Sequence, residues 1–192
     1  MWWWSTPVSR AKARRILVAT GLRDELPDLP GVRERWEKDV LHCPYCHAYE
    51  VRDRLLAVLG THPGAVHQAL LLSQWSDDVV FFPHTLDLTA EDRDRLAARG
   101  LHIVEGGIER LVFENDRLRG IELTDGRAVP RVAALLFPCM LPHDGLLTRL
   151  GCGKDGDGLV STDRSGRTTV AGVWAAGNVA HPRAPPSTRW TA

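Results

Sequence analysis

The sequence has no excess of either charge, no long apolar run and few cysteines. Lys plus Arg and Asp plus Glu both number 24, giving a formal net charge of zero. Gripping a phosphate backbone needs a surplus of Lys and Arg on one face, so no nucleic-acid partner is expected. No stretch approaches the ~20 apolar residues of a membrane span. The opening MWWWSTPVSRAKARR places its charges after its apolar residues, the reverse of a secretory signal. These absences predict a cytoplasmic chain with no membrane partner. The four cysteines, Cys43, Cys46, Cys139 and Cys152, are too few and too unevenly spread for a secreted disulfide framework.

What is present is enough apolar residue, 44%, for a globular core in a chain of 192 residues. The chemistry is concentrated in His42-Cys43-Pro44-Tyr45-Cys46-His47. A C-x-x-C-H run attaches a c-type haem, a C-x-x-C flanked by histidines can enter a zinc site, and a C-x-x-C beside a βαβ unit is a redox dithiol. Haem is ranked last, because such attachment follows export and only Met140 is left as a thioether ligand besides the initiator. Zinc is second: a structural site needs four ligands, and no second C-x-x-C or H-x-x-x-H follows. The redox reading is first. A C-x-x-C opening a helix brings two sulfurs together, and Pro44 suits a first helical turn. His47, then His42, or Glu50, are the candidates for moving the leaving thiol's proton. Cys139 and Cys152 are expected to be inert, buried or partly buried thiols.

Around this motif the pattern is α/β. RILVATG reads as a buried strand, and LRDELPDLPGV as a loop. A strand over 55–59, a helix over 64–75 and a strand over 79–82 make a βαβ unit. Thr89 is placed to cap the next helix, with Gly100 stopping it. From 108 to 137 short strands around ENDR and TDGR predict an antiparallel meander, and the chain is irregular after Pro138.

Gly60-Thr61-His62-Pro63-Gly64-Ala65 lies where G-x-G-x-x-G/A belongs. Gly60 supplies the tight turn and Ala65 the close helix, but His62 replaces the glycine that lets backbone approach a pyrophosphate. A Rossmann-like unit without nucleotide is an equal reading, since Phe81-Phe82-Pro83-His84 offers neither a ribose-binding carboxylate nor an arginine for a 2′-phosphate.

Taken together, ILVATG, HCPYCHAYEV, AVLGTHPGAVHQALLLSQW and TTVAGVWAAGNV resemble, in order, the low-molecular-weight thioredoxin reductases and related FAD-dependent disulfide oxidoreductases. CPYCH-x-YE is similar to the branch containing dithiol oxidases of natural-product biosynthesis, several of which pass electrons to oxygen. The resemblance implies a split FAD domain around an inserted nucleotide domain: residues 1–31 and 138–192 as partial FAD remnants, and 32–137 as the dithiol-bearing insert. It implies Cys46 as the sulfur nearer the flavin, Cys43 as the exchanging sulfur, and Gly177 with Asn178 at the FAD pyrophosphate and ribityl chain. NAD(P)H is a possible second cofactor through the altered turn. Expected partners are a small dithiol or disulfide, or a thioredoxin-like protein, with a homodimer as the assembly. The pattern reads as an internal fragment, so a non-catalytic remnant, or a half-enzyme dependent on a partner and without bound FAD, stands as the alternative.

Overall fold

The structure is a computed structural model and describes residues 13–182. In chain order the strands and helices are β1 (Ile16–Val18), β2 (Leu22–Glu25), α1 (Val32–Arg35), β3 (Val40–Leu41), α2 (Pro44–His47), β4 (Leu56–Leu59), α3 (Gly64–Leu72) and β5 (Val79–Phe82). They continue with α4 (Ala90–Ala97), β6 (His102–Ile103), β7 (Ile108–Glu114), β8 (Arg117–Leu123), β9 (Ala128–Pro130), β10 (Ala133–Leu136), β11 (Cys139–Pro142), α5 (Gly145–Arg149) and β12 (Val173–Ala175), followed by a 3₁₀ turn, Gly177–Val179. None of the described helices is long and apolar enough to cross a membrane.

The chain divides into two units, residues 25–139 and residues 1–24 with 140–192. The first is built on a five-stranded parallel sheet of order β3-β10-β4-β5-β6. Strands β4, β5 and β10 are buried at every residue, which is why they read as continuous apolar runs rather than alternating ones. Their side chains still divide by parity. Leu56, Val58, Val79 and Phe81 join Ala65, Ala69 and Leu72 of α3 and Leu96 of α4 on one face. Ala57, Leu59, Val80 and Phe82 join Ile108, Leu111, Leu118 and Ile121 of the antiparallel β7-β8-β9 sheet on the other. The β7–β8 hairpin turns through Asn115 and Asp116, both with positive φ (50° and 56°), the conformation that matches the twist of paired strands.

That hairpin is tied to the sheet by Arg35, whose side chain is only 3% exposed. Its Nε and Nη2 donate to the two Asp39 oxygens, at 2.8 and 2.6 Å, and Nη1 donates to Asp116 Oδ1 at 2.6 Å. Asp39 Oδ2 also accepts from the Leu118 N–H at 2.7 Å. The carboxylates hold the Arg35 guanidinium above its ordinary range, the Asp39 hydrogen bond contributing most and burial opposing.

In the other unit, β1 and β12 pair in parallel, Ile16 opposite Val173 and Val18 opposite Ala175. Val18, Leu147, Val160, Val173 and Val179 form its core. Arg15 and Arg167 both lie against the Trp174 ring, 5.9 and 6.0 Å from its centre.

The α/β class, the βαβ unit and the meander stand as expected, and Thr89 caps α4 by accepting from the Asp92 N–H. Four local expectations change. The segment read as a loop from Leu22 to Val32 contains β2 and only the first residue of α1; β2 pairs with β11, and the position before α1 is glycine both for its φ of 91° and because a Cβ there would lie 2.8 Å from that of Leu111. Helix α3 stops at Leu72, three residues early. Residues 133–136 leave the meander and run between β3 and β4, where long-range parallel pairing overrides local order. After Pro138 the chain is not irregular but forms β11 and α5.

Replacing Asp39 with Ala leaves the Arg35 charge buried with one exposed partner and removes the acceptor of the Leu118 N–H. Urea unfolding should show a loss of about 3 kcal/mol, the cost of breaking a buried pair from one side. A loss within the range of an ordinary surface substitution would remove Arg35 as the tie between hairpin and sheet.

Candidate redox site

The dithiol stands where the chain leaves the C-terminal end of β3. Cys43 is extended at φ −99° and ψ 114°, Pro44 occupies the first turn, and the Cys46 and His47 N–H groups donate to the Cys43 carbonyl at 3.2 and 3.1 Å. This single turn carries Cys46 back onto Cys43, and the Cys46 thiol donates to Cys43 Sγ at 2.9 Å. That hydrogen bond, with burial and then the neighbouring charge adding, pushes the Cys46 thiol up. With only four residues in α2, a helix macrodipole adds little. Cys43 is half-buried and Cys46 exposed. His47 Nδ1 lies 3.8 Å from Glu50 Oε2, both on the surface. Tyr45 between the two cysteines is 79% exposed.

The position of Cys43 is fixed from behind. Gln68 of α3, 2% exposed, donates through Nε2 to the carbonyl of His42 and, at 3.2 Å, to that of Leu136. His42 also meets the Phe137 ring edge-on, 5.2 Å between centres.

At the nucleotide-type turn, Gly60 is required by the sheet itself: a Cβ would fall 2.4 Å from the Pro83 carbonyl oxygen and 2.8 Å from that of Phe82. Ala65 is fully buried in the helix face of the core. His62 Nδ1 accepts the Gly64 N–H at 2.9 Å, and its ring stacks on Phe137 at 4.6 Å and 13°. The N–H a pyrophosphate would use is therefore taken by a side chain of the same turn, and Phe137 covers Gly64, 3.0 Å from where a Cβ would stand. As folded, this turn does not fit a pyridine nucleotide.

In the other unit, Gly177 begins the 3₁₀ turn at φ 71°, and a Cβ added there would meet nothing within 4 Å. A backbone free to take this shape, with open space beside it, fits the close approach of a phosphate or ribityl oxygen. Asn178 Nδ2 donates to the Pro182 carbonyl at 3.2 Å. Among the described residues, no group of three or more His, Cys, Asp or Glu side chains is placed to hold a metal ion.

A family model described as pyridine nucleotide-disulphide oxidoreductase matches residues 6–190. The chain belongs to the pyridine nucleotide-disulphide oxidoreductase family. Within this family it is similar to thioredoxin reductase aclD of Aspergillus oryzae, 31% identical over 60% of this chain and 36% of that one. It is also similar to the thioredoxin reductase of Listeria monocytogenes, 27% identical over 88% of this chain and 55% of that one. Among solved structures, HlmI superposes with a TM-score of 0.84 at 63% identity, over 90% of this chain and 54% of that one. The chain thus spans about half the length, or less, of these relatives.

Set in a pyridine nucleotide-disulphide oxidoreductase, the structure brings Cys43, Cys46 and His47 into one turn and Gly60, His62 and Ala65 into another, with Phe137 touching both His42 and His62. Gly177 and Asn178 lie in the second unit. Phe137 and Gln68 escape sequence reading. Nothing marks Phe137, whereas Gln68 shares the 3.6-residue spacing of Ala65, Ala69 and Leu72 and is recognisable as a polar residue on a buried face. Cys139, expected at least partly buried, is exposed because β11 lies at the margin of a two-stranded pair; Cys152 is buried.

His84, at φ 53°, accepts the Ile108 N–H on Nδ1 at 2.9 Å, and burial pushes its pKa down. The folded chain thus keeps this ring neutral at pH values where the unfolded chain protonates it. The contribution is full above about 6.5 and is lost as pH falls towards the lower folded value. His84→Asn tolerates positive φ and retains an acceptor. It should flatten the decline of the urea midpoint between pH 7.5 and 5.5; an unchanged slope would remove His84 as its source.

Proposed function

We propose that this chain acts as the dithiol-bearing part of an FAD-dependent, thioredoxin reductase-like disulfide oxidoreductase. The observation that carries the reading is the Cys46 thiol donating to Cys43 at 2.9 Å on a solvent-facing turn. With the Cys46 thiol pushed up and bonded to Cys43 Sγ, Cys43 is assigned as the sulfur that attacks. Cys43 attacks one sulfur of a substrate disulfide and expels the other as a thiolate, which takes up a proton. Cys46 then gives up its proton, attacks Cys43 and releases the second substrate thiolate. The substrate has gained two electrons and Cys43–Cys46 has become a disulfide; run in reverse, the same steps oxidise a dithiol. His47, next to Cys46 in sequence and 3.8 Å from Glu50, is the candidate to take the Cys46 proton. Gln68 keeps the entry to Cys43 rigid.

FAD supplies the two-electron store when bound, and Gly177 and Asn178 are the residues of this chain that would meet its phosphate and ribityl groups. Because His62 and Phe137 occupy the nucleotide turn, oxygen is the more compatible electron acceptor, and with it the net direction is oxidation of a substrate dithiol. A small dithiol or disulfide suits the open turn, and a thioredoxin-like protein is the larger candidate.

Treating the purified chain with a small aryl disulfide tests the division of labour. In a Cys139→Ser background, which removes the other exposed thiol, Cys46→Ser should accumulate a mixed disulfide on Cys43, seen as an added mass, while Cys43→Ser should react more slowly. Equal rates in the two variants would overturn the assignment.

A further inference from the structure

The starts of β3, β4 and β10 lie on the same edge of the parallel sheet, opposite the edge that carries Cys43, His62 and Phe137. At that edge a cleft of about 810 Å³ opens between the sheet and the β7–β8 hairpin. Its polar lining holds five cations, Arg35, Lys38, Arg54, Arg117 and Arg119, against two carboxylates, Asp39 and Asp116. In a chain of zero net charge this is a concentrated positive field.

The carboxylates are already committed. Both bond to Arg35, and Lys38 reaches Asp116 at 3.1 Å, which holds the Asp116 carboxyl below its usual range. The Arg119 guanidinium has, among the described residues, only Glu114, at 3.8 Å. Among the described residues, neither Arg54 nor Arg117 has an ion-pair or hydrogen-bond partner for its guanidinium. The apolar part of the lining that remains accessible is Leu55, left 39% exposed, with half-buried Val132.

We propose that this cleft binds a small organic anion carrying two or more phosphate groups on a flat or apolar body. Guanidinium forks pair with phosphate oxygens through two parallel hydrogen bonds and also stack on flat rings, and Leu55 offers the apolar contact. The volume is that of a small-molecule pocket, which favours such a ligand over an acidic segment of a protein. The site shares no residue with the dithiol and is independent of the function proposed for it.

Calorimetric titration of the full chain at low salt, with ADP and inorganic pyrophosphate as probes, tests the proposal. Both should bind, ADP more tightly because its base can cover Leu55. Arg54→Glu/Arg117→Glu should weaken both by about ten-fold or more, as loss of two charge-assisted contacts implies. Arg54→Gln/Arg117→Gln should fall between that variant and the parent. Arg99→Glu/Arg149→Glu, with the same charge change elsewhere, should bind like the parent. Absence of binding, or equal weakening by the control pair, would overturn the site; equal affinity for the two probes would overturn the organic body.

Discussion

A parallel sheet buried on both faces has to be covered twice, and in residues 25–139 the two covers come from different parts of the chain. Helices α3 and α4 arise within the βαβ connections and fall on one face as the strands pair. The other face is closed by the β7-β8-β9 sheet, which is antiparallel, lies later in sequence and has no ladder to the strands beneath it. Its attachment rests on apolar contact and on the Arg35–Asp39–Asp116 network, in which one guanidinium joins the entry to β3 with the tip of the hairpin. Placing that charge out of solvent is tolerable because Asp39, four residues on, and Asp116 at the hairpin tip together supply its polar contacts.

The same sheet decides where chemistry can lie. Every strand ends at one edge, so the dithiol turn after β3, the glycine turn after β4, His84 after β5 and Phe137 after β10 converge there although they span nearly a hundred residues. Convergence allows Phe137 to stack on His62 and meet His42 together. It also gives Gly60 a reason to be glycine that has nothing to do with a nucleotide, since the carbonyls of Phe82 and Pro83 leave no room for a Cβ. A glycine fingerprint can therefore survive in a turn whose anion-binding N–H is used internally.

Much of the local structure is legible in sequence. The apolar Val-Val-Phe-Phe run over 79–82, the cap at Thr89, the turn at Asn115-Asp116 and the proline after Cys43 each state a short-range preference that the fold keeps. Where the reading failed, a distant partner intervened. Ala133-Ala134-Leu135-Leu136 differs little from a meander strand, and only the slot between β3 and β4 makes it parallel. Leu22–Glu25 has no apolar alternation to mark it, and pairing with β11 alone makes it a strand.

The sequence by itself determined the dithiol, the βαβ unit that follows it and the substitution of His62 for a glycine, because each is set by neighbours within a few residues. Tertiary structure alone decided that His62 takes the Gly64 N–H under the Phe137 ring, that Gln68 braces the entry to Cys43, and that five cations gather at the far edge of the sheet. Those outcomes depend on strands brought into register across dozens of residues, and register is fixed by which faces are buried rather than by any local run.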